Sequence, residues 1–208
     1  MDPSTSISPL ETKRQIRKAI VPAAGLGSRM HSLTQGQSKE MLPIGGRPMI
    51  FYTIQEAVLS GLEELYIIIN SRKDTLRRYL ESEDFQRDIR SEKQGRGYFC
   101  TQLTFVEQPI PAGSGDAIYR AREKIGDEPF ALMMPDFILF GNTPALGQLI
   151  PLYERSGCDV VGLLLLQGDE AEGFGNVGIV HGEVHHGQIG MELIIELVPL
   201  FNLFAELG

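Results

Sequence analysis

The sequence has no tryptophan, two cysteines and no long apolar stretch. Two thiols, Cys100 and Cys158, are too few for a disulfide scaffold and read as buried side chains in a reducing cytoplasm. The longest apolar run, residues 160–166, falls well short of the roughly 20 residues that a bilayer crossing takes, so no membrane span is expected. Residues 1–12 lack a basic start followed by an apolar stretch. No secretory signal is expected there, and their polar, proline-bearing makeup reads as a flexible tail. Basic residues are missing after Arg155. All 19 Lys and Arg lie in residues 1–155, and the formal charge of −8 comes from the acids beyond them. A basic face for nucleic acid is therefore not expected, and phosphate recognition has to be a local pocket.

What is present is an alternation. Short, nearly continuous apolar runs at 19–21, 65–69, 103–106, 130–134 and 160–166 read as buried parallel strands. Between them, 49–60, 73–81, 115–125 and 144–156 have helical spacing, and Gly61, Gly126 and Gly157 follow three of them as stop signals. This pattern predicts a single α/β domain over 13–208, a doubly wound, mostly parallel sheet with helices on both faces. Residues 41–48 read as a loop and 84–98 as an exposed insertion. After Gln167 the alternation of 173–180 suggests a short antiparallel hairpin arm.

The first strand runs into Ala23-Ala24-Gly25-Leu26-Gly27-Ser28-Arg29-Met30. Small residues let a phosphate or base approach main-chain N–H groups that a Cβ would shield. The turn is not a dinucleotide fingerprint, because Met30 stands where the third glycine belongs, and no Gly-Lys-Ser/Thr marks a Walker loop. A strand followed by a glycine turn is, alone, common to many α/β proteins.

Further motifs follow in order: Lys39-Glu40-Met41-Leu42-Pro43-Ile44, Arg47-Pro48-Met49-Ile50 and Pro135-Asp136-Phe137-Ile138-Leu139. Together they resemble the sugar nucleotidyltransferases from about Arg17 to Val180, and most closely the members that join UTP to glucose 1-phosphate. The resemblance implies a Rossmann-like nucleotidyltransferase fold and Mg²⁺-assisted transfer, with UDP-glucose and pyrophosphate as products. Its demands are to hold two polyanions together and to neutralise their charge, since the attacking phosphate oxygen is already an anion.

The resemblance implies roles for named residues. Lys39 and Arg29 would be the catalytic cations on the phosphates. Ala23, Ala24, Gly25 and Gly27 would approach the nucleotide through their amides. Gln108 would read uracil with its amide, and Gly113 and Gly115 would leave room for base or ribose. Asp136, at the end of an apolar strand, would hold the metal, although a strand-end Asp is often a turn residue. Glu40 would touch the nucleotide, orient Lys39 or cap a turn. His31, His181, His185 and His186 have no metal-ligand spacing and are expected in solvent.

The sugar half departs from the pattern. A Glu-Lys-Pro motif is expected after the hairpin, yet the chain reads Glu196-Leu197-Val198-Pro199, with no later cation to replace the lysine. Gly175 and Glu196 are what remains of a sugar site. A truncated or altered enzyme, a short nucleotide-binding or regulatory paralogue and a partner-completed pocket all fit. The apolar 193–204 stretch fits either a core element without its cover or an interface between copies. A nicotinamide-binding protein is a distant third.

Overall fold

The structure, a computed structural model, describes residues 15–25, 37–91 and 101–162. In chain order its strands are β1 (Lys18–Pro22), β2 (Pro43–Ile44), β3 (Arg47–Pro48), β4 (Glu64–Ile69), β5 (Gln102–Glu107) and β6 (Phe130–Leu132). The helices are α1 (Met49–Leu59), α2 (Asp74–Glu81), α3 (Glu83–Ser91), α4 (Ser114–Arg120), α5 (Arg122–Ile125) and α6 (Ala145–Ser156). Four strands form one parallel sheet in the order β5-β4-β1-β6.

The apolar runs are continuous because β1 and β4 are covered on both faces. Leu65, Ile67 and Ile69 join Ala19 and Val21 against Ile50, Phe51 and Ile54 of α1. Tyr66 and Ile68, pointing the other way, join Ile20 and Ala24 against Ala117 of α4, Ile125 of α5 and Ala121 between the two helices. Side chains alternate across a strand, so a run that is apolar at every position needs a helix layer on each side. The doubly wound parallel architecture expected from the sequence is the one observed.

Helix ends follow local chemistry. Gly157 stops α6 in the left-handed region, at φ 65° and ψ 10°, with its N–H on the carbonyl of Tyr153 at 2.8 Å. At the other end of α6, Glu56 on α1 accepts the free N–H of Leu146 at 2.7 Å, and burial pushes its carboxyl above the usual range.

The structure departs from the sequence pattern at five places. The insertion expected at 84–98 begins as helix α3, whose acidic first turn favours a helix start and whose Phe85 and Ile89 are buried. The charge of this segment masks the helical spacing of its two apolar residues. The helix expected over 115–125 is two, α4 and α5, broken at Ala121. The loop at 41–48 contains a short antiparallel pair, β2 with β3, turned through Gly45 and Gly46 at positive φ. Cys158 is exposed and not buried, because it follows the end of α6 instead of entering a strand. Residues 160–162 are not in a strand; the rest of that run, Cys100 and the 173–180 arm lie outside the described residues.

Phe85 ties α3 to the core, with its ring edge-on to Phe51 at 6.2 Å and to Tyr79 at 5.2 Å. Phe85→Ala is expected to cost about 3–5 kcal/mol of stability, the usual range for emptying a packed aromatic site. Urea unfolding measures it, and a loss below about 1 kcal/mol would return the segment to the status of a surface insertion.

Candidate active site

After β1 the chain builds β4 and then β5 on one side, and returns to place β6 on the other. In such sheets ligands bind outside the carboxyl ends of the strands where the order reverses, here between β1 and β6. The glycine turn leaves β1 at that point, and Asp136 follows β6 at the same edge.

The described part of the glycine turn is pinned from β4. The N–H of Ala23 donates to the carbonyl of Ile68 at 2.8 Å, and the Asn70 side-chain amide donates to the carbonyl of Ala24. Ala23 and Ala24 are buried, whereas a Cβ placed on Gly25 would meet nothing within 4 Å. Packing within the described protein does not require glycine there.

Lys39 lies on a single 3-10 turn, Lys39–Met41, that ends where β2 begins. Its Nζ donates to Oδ2 of Asp136 at 2.6 Å, and the two side chains keep 18% and 31% of their exposure. A cation and a carboxylate from distant parts of the chain thus meet at the reversal point, open enough to be reached. The other carboxylate oxygen of Asp136, Oδ1, is buried and has no partner among the described residues.

Behind this pair stands a second, closed one. Glu40 is fully buried, and its Oε2 accepts from Lys73 Nζ at 2.6 Å and from the Ser38 hydroxyl. Lys73 Nζ also donates to Ser38 Oγ at 2.9 Å. Glu40 was expected at the nucleotide, at Lys39 or at a turn; its described bonds are internal and hold the turn that carries Lys39. Lys73 starts from the same β4–α2 connection as Asn70, with its own N–H on the carbonyl of Asn70 at 3.0 Å. Neither Asn70 nor Lys73 was singled out from the sequence. The available signal was their position, polar residues just beyond an all-apolar strand at the ligand-binding edge.

Gln108 closes the edge at the end of β5, with its main-chain N–H on Ile69 at 2.8 Å. Its side chain is nearly fully buried, and Nε2 donates to the carbonyl of Gly113 at 3.0 Å and to Oδ2 of Asp116 at 2.8 Å. Gly113 needs to be glycine for its backbone, at φ 99°, and a Cβ on Gly115 would meet nothing within 4 Å. The bond from Gln108, followed by that from Arg120, holds the Asp116 carboxyl below the usual range. Arg29, Gly27, Gly175, Glu196 and the four histidines lie outside the described residues. Among the described residues no three His, Cys, Asp or Glu side chains cluster to hold a metal, and no helix is long and apolar enough to cross a membrane.

A strand-borne glycine turn, a paired lysine and aspartate at the reversal point and a buried glutamine at the same edge meet a match to the nucleotidyl transferase family model over residues 18–189. The chain belongs to the nucleotidyl transferase family. It is 37% identical over 171 residues to the UTP–glucose-1-phosphate uridylyltransferase of Mycoplasma pneumoniae, a match covering 78% of this chain and 59% of the relative. With the enzyme of the same name from Bacillus subtilis it shares 33% over 184 residues, covering 85% and 63%. The chain thus spans roughly three-fifths of the length of these relatives. Among solved structures, a UDP-glucose pyrophosphorylase complexed with UDP-glucose is similar at a TM-score of 0.59 and 32% identity, over 69% of this chain and 55% of that one. A UTP-bound enzyme of this type from Acinetobacter baumannii gives 0.57 and 28%, over 69% and 54%. The likeness to these structures covers 69% of this chain.

Proposed function

We infer that this nucleotidyl transferase takes part in uridylyl transfer from UTP to glucose 1-phosphate, giving UDP-glucose and pyrophosphate. The observation that carries the reading is the Lys39–Asp136 pair at the reversal point of the sheet, 2.6 Å apart and partly open, with one carboxylate oxygen unpartnered among the described residues. The names of the similar enzymes point the same way.

In the reaction an oxygen of the sugar phosphate forms a bond to the α-phosphorus of UTP. The bond from that phosphorus to the bridging oxygen breaks, and its electron pair leaves with pyrophosphate. No proton has to move at the attacking oxygen, so the protein's work is alignment and charge neutralisation. Lys39 supplies a point charge for the α-phosphate and the incoming phosphate. The amides of Ala24 and Gly25 face the nucleotide across the gap that glycine leaves, and Gln108 reads the base. Arg29 on the phosphates and Gly175 and Glu196 at the sugar belong to the same proposal.

The donor chemistry at Asp136 fits Mg²⁺. Oδ1 is a hard, buried anionic oxygen without a partner among the described residues, and one or two carboxylates with waters and phosphates are the usual company of this ion. Asp136 would hold it, and when bound it would neutralise phosphate charge.

The test is pyrophosphate release from UTP with and without glucose 1-phosphate. Release that requires both substrates, and that falls at least a hundredfold in Asp136→Asn, is the expected result. Tight UTP binding with no pyrophosphate would instead favour a nucleotide-binding regulatory protein of the same fold.

A further inference from the structure

The amide of Gln108 is held from two sides by groups that can only accept. One is the main-chain carbonyl of Gly113 and the other the Asp116 carboxylate, both within 3.0 Å of the same side-chain nitrogen. A carbonyl has no proton to give, and a carboxylate below its usual range is ionised at neutral pH. Turning the amide over would set Oε1 against two other lone-pair groups, with Gln108 itself only 2% exposed. The side chain is therefore locked with both Nε2 hydrogens engaged inside the protein. Among the described residues none donates to Oε1, and the reading of Gln108 as the base-contacting residue gives that atom to the base.

Uracil and cytosine differ at the matching position. N3 of uracil carries a hydrogen, whereas N3 of cytosine is a lone pair. An amide free to rotate serves either base, and an amide locked as an acceptor serves only the first. We propose that Asp116 is a specificity-determining positioning residue: it fixes Gln108 as an acceptor and thereby selects nucleotides whose base offers an N3–H. Asp116 does not itself touch the base in this proposal. It sits in the first turn of α4, on the side of the Gly113 turn, and is tied in turn to Arg120 at 3.3 Å. Thymine carries the same N3–H, so the lock separates uridine and thymidine nucleotides from cytidine ones and does not separate the first two.

This inference rests on the reading of Gln108 as the base-contacting residue, and the experiment keeps the two apart. UTP and CTP affinities are measured by calorimetry on the intact protein and on Gln108→Ala, Asp116→Ala, Asp116→Asn and Arg120→Ala, with thermal unfolding as a check on folding. The intact protein is expected to prefer UTP. Asp116→Ala is expected to shrink the UTP-to-CTP preference roughly tenfold, mainly by improving CTP binding, because loss of one acceptor frees the amide to turn. Asp116→Asn, whose amide can either accept or donate, should shrink it as well while keeping the bulk of the side chain. Arg120→Ala should leave the preference intact. If the intact protein binds both nucleotides equally, or Gln108→Ala leaves the preference unchanged, the reading of Gln108 fails and the inference fails with it. If Gln108→Ala abolishes the preference and both folded Asp116 variants retain it, the reading stands and the role given to Asp116 is overturned.

Discussion

Lys39→Ala is expected to lower turnover about 10²–10³-fold while UTP affinity stays within about tenfold. The size is that of removing one preorganised donor from the place where charge gathers during group transfer. Affinity is spared because the groups proposed for the base and the main-chain amides lie on other elements. Gln108 follows β5 and the glycine turn follows β1, elements other than the turn that carries Lys39. Removing the lysine also strips Asp136 of its 2.6 Å partner, so part of the loss belongs to the pair. A double-mutant cycle separates the two contributions. If Lys39 and Asp136 act as one unit, Asp136→Asn costs far less in the Lys39→Ala background than in the intact protein. Steady-state pyrophosphate release gives turnover, and calorimetry gives affinity. Turnover retained within tenfold in Lys39→Ala would remove the lysine from the chemistry and leave it a surface cation with an aspartate neighbour.

The sequence carried the layers of this fold because burial on both faces of a sheet leaves an unmistakable mark. Leu65 to Ile69 is apolar at every position, and only a strand between two helix layers needs that. It carried the contact between Lys39 and Asp136 less directly. Both were expected at phosphate and metal from separate motifs, and their meeting across 97 positions is a product of β6 pairing beside β1. What stayed hidden are the groups behind them. A polar residue gives no periodic signal, so nothing in Asn70-Ser71-Arg72-Lys73 says that Asn70 will clasp the glycine turn while Lys73 reaches into the core. Asp116 was equally silent: a helix-start aspartate is ordinary in sequence, and only the position of the Gln108 amide gives it a function. Helix α3 was missed for the opposite reason, since two buried residues among nine leave a period that charge obscures.

Lys73→Met is expected to destabilise the protein by about 3–5 kcal/mol, the range for breaking a buried ion pair from one side. Lys73 and Glu40 keep 5% and 0% of their side-chain exposure, so neither water nor salt can replace the lost partner. Methionine fills a similar volume and removes only the charge, which leaves the Glu40 carboxylate sealed in the core beside the Ser38 hydroxyl. One oxygen of Glu40 is already unpartnered among the described residues, and the substitution weakens the support of the other. Combining Lys73→Met with Glu40→Gln removes both charges and is expected to recover more than half of the loss, because a neutral amide next to a hydroxyl is far cheaper to bury than a lone carboxylate. Urea unfolding of the two single variants and the double one measures this directly. The consequence for the site is separate from stability: Lys39 is adjacent in sequence to Glu40, so loosening the turn displaces the cation that meets Asp136. Turnover in the folded fraction of Lys73→Met should therefore fall further than UTP affinity does, and Lys73→Arg, which keeps the charge, should restore much of it. A Lys73→Met variant that loses less than about 1 kcal/mol would mean that the Lys73–Glu40 pair does little to hold the fold, and the turn beneath Lys39 would need another anchor.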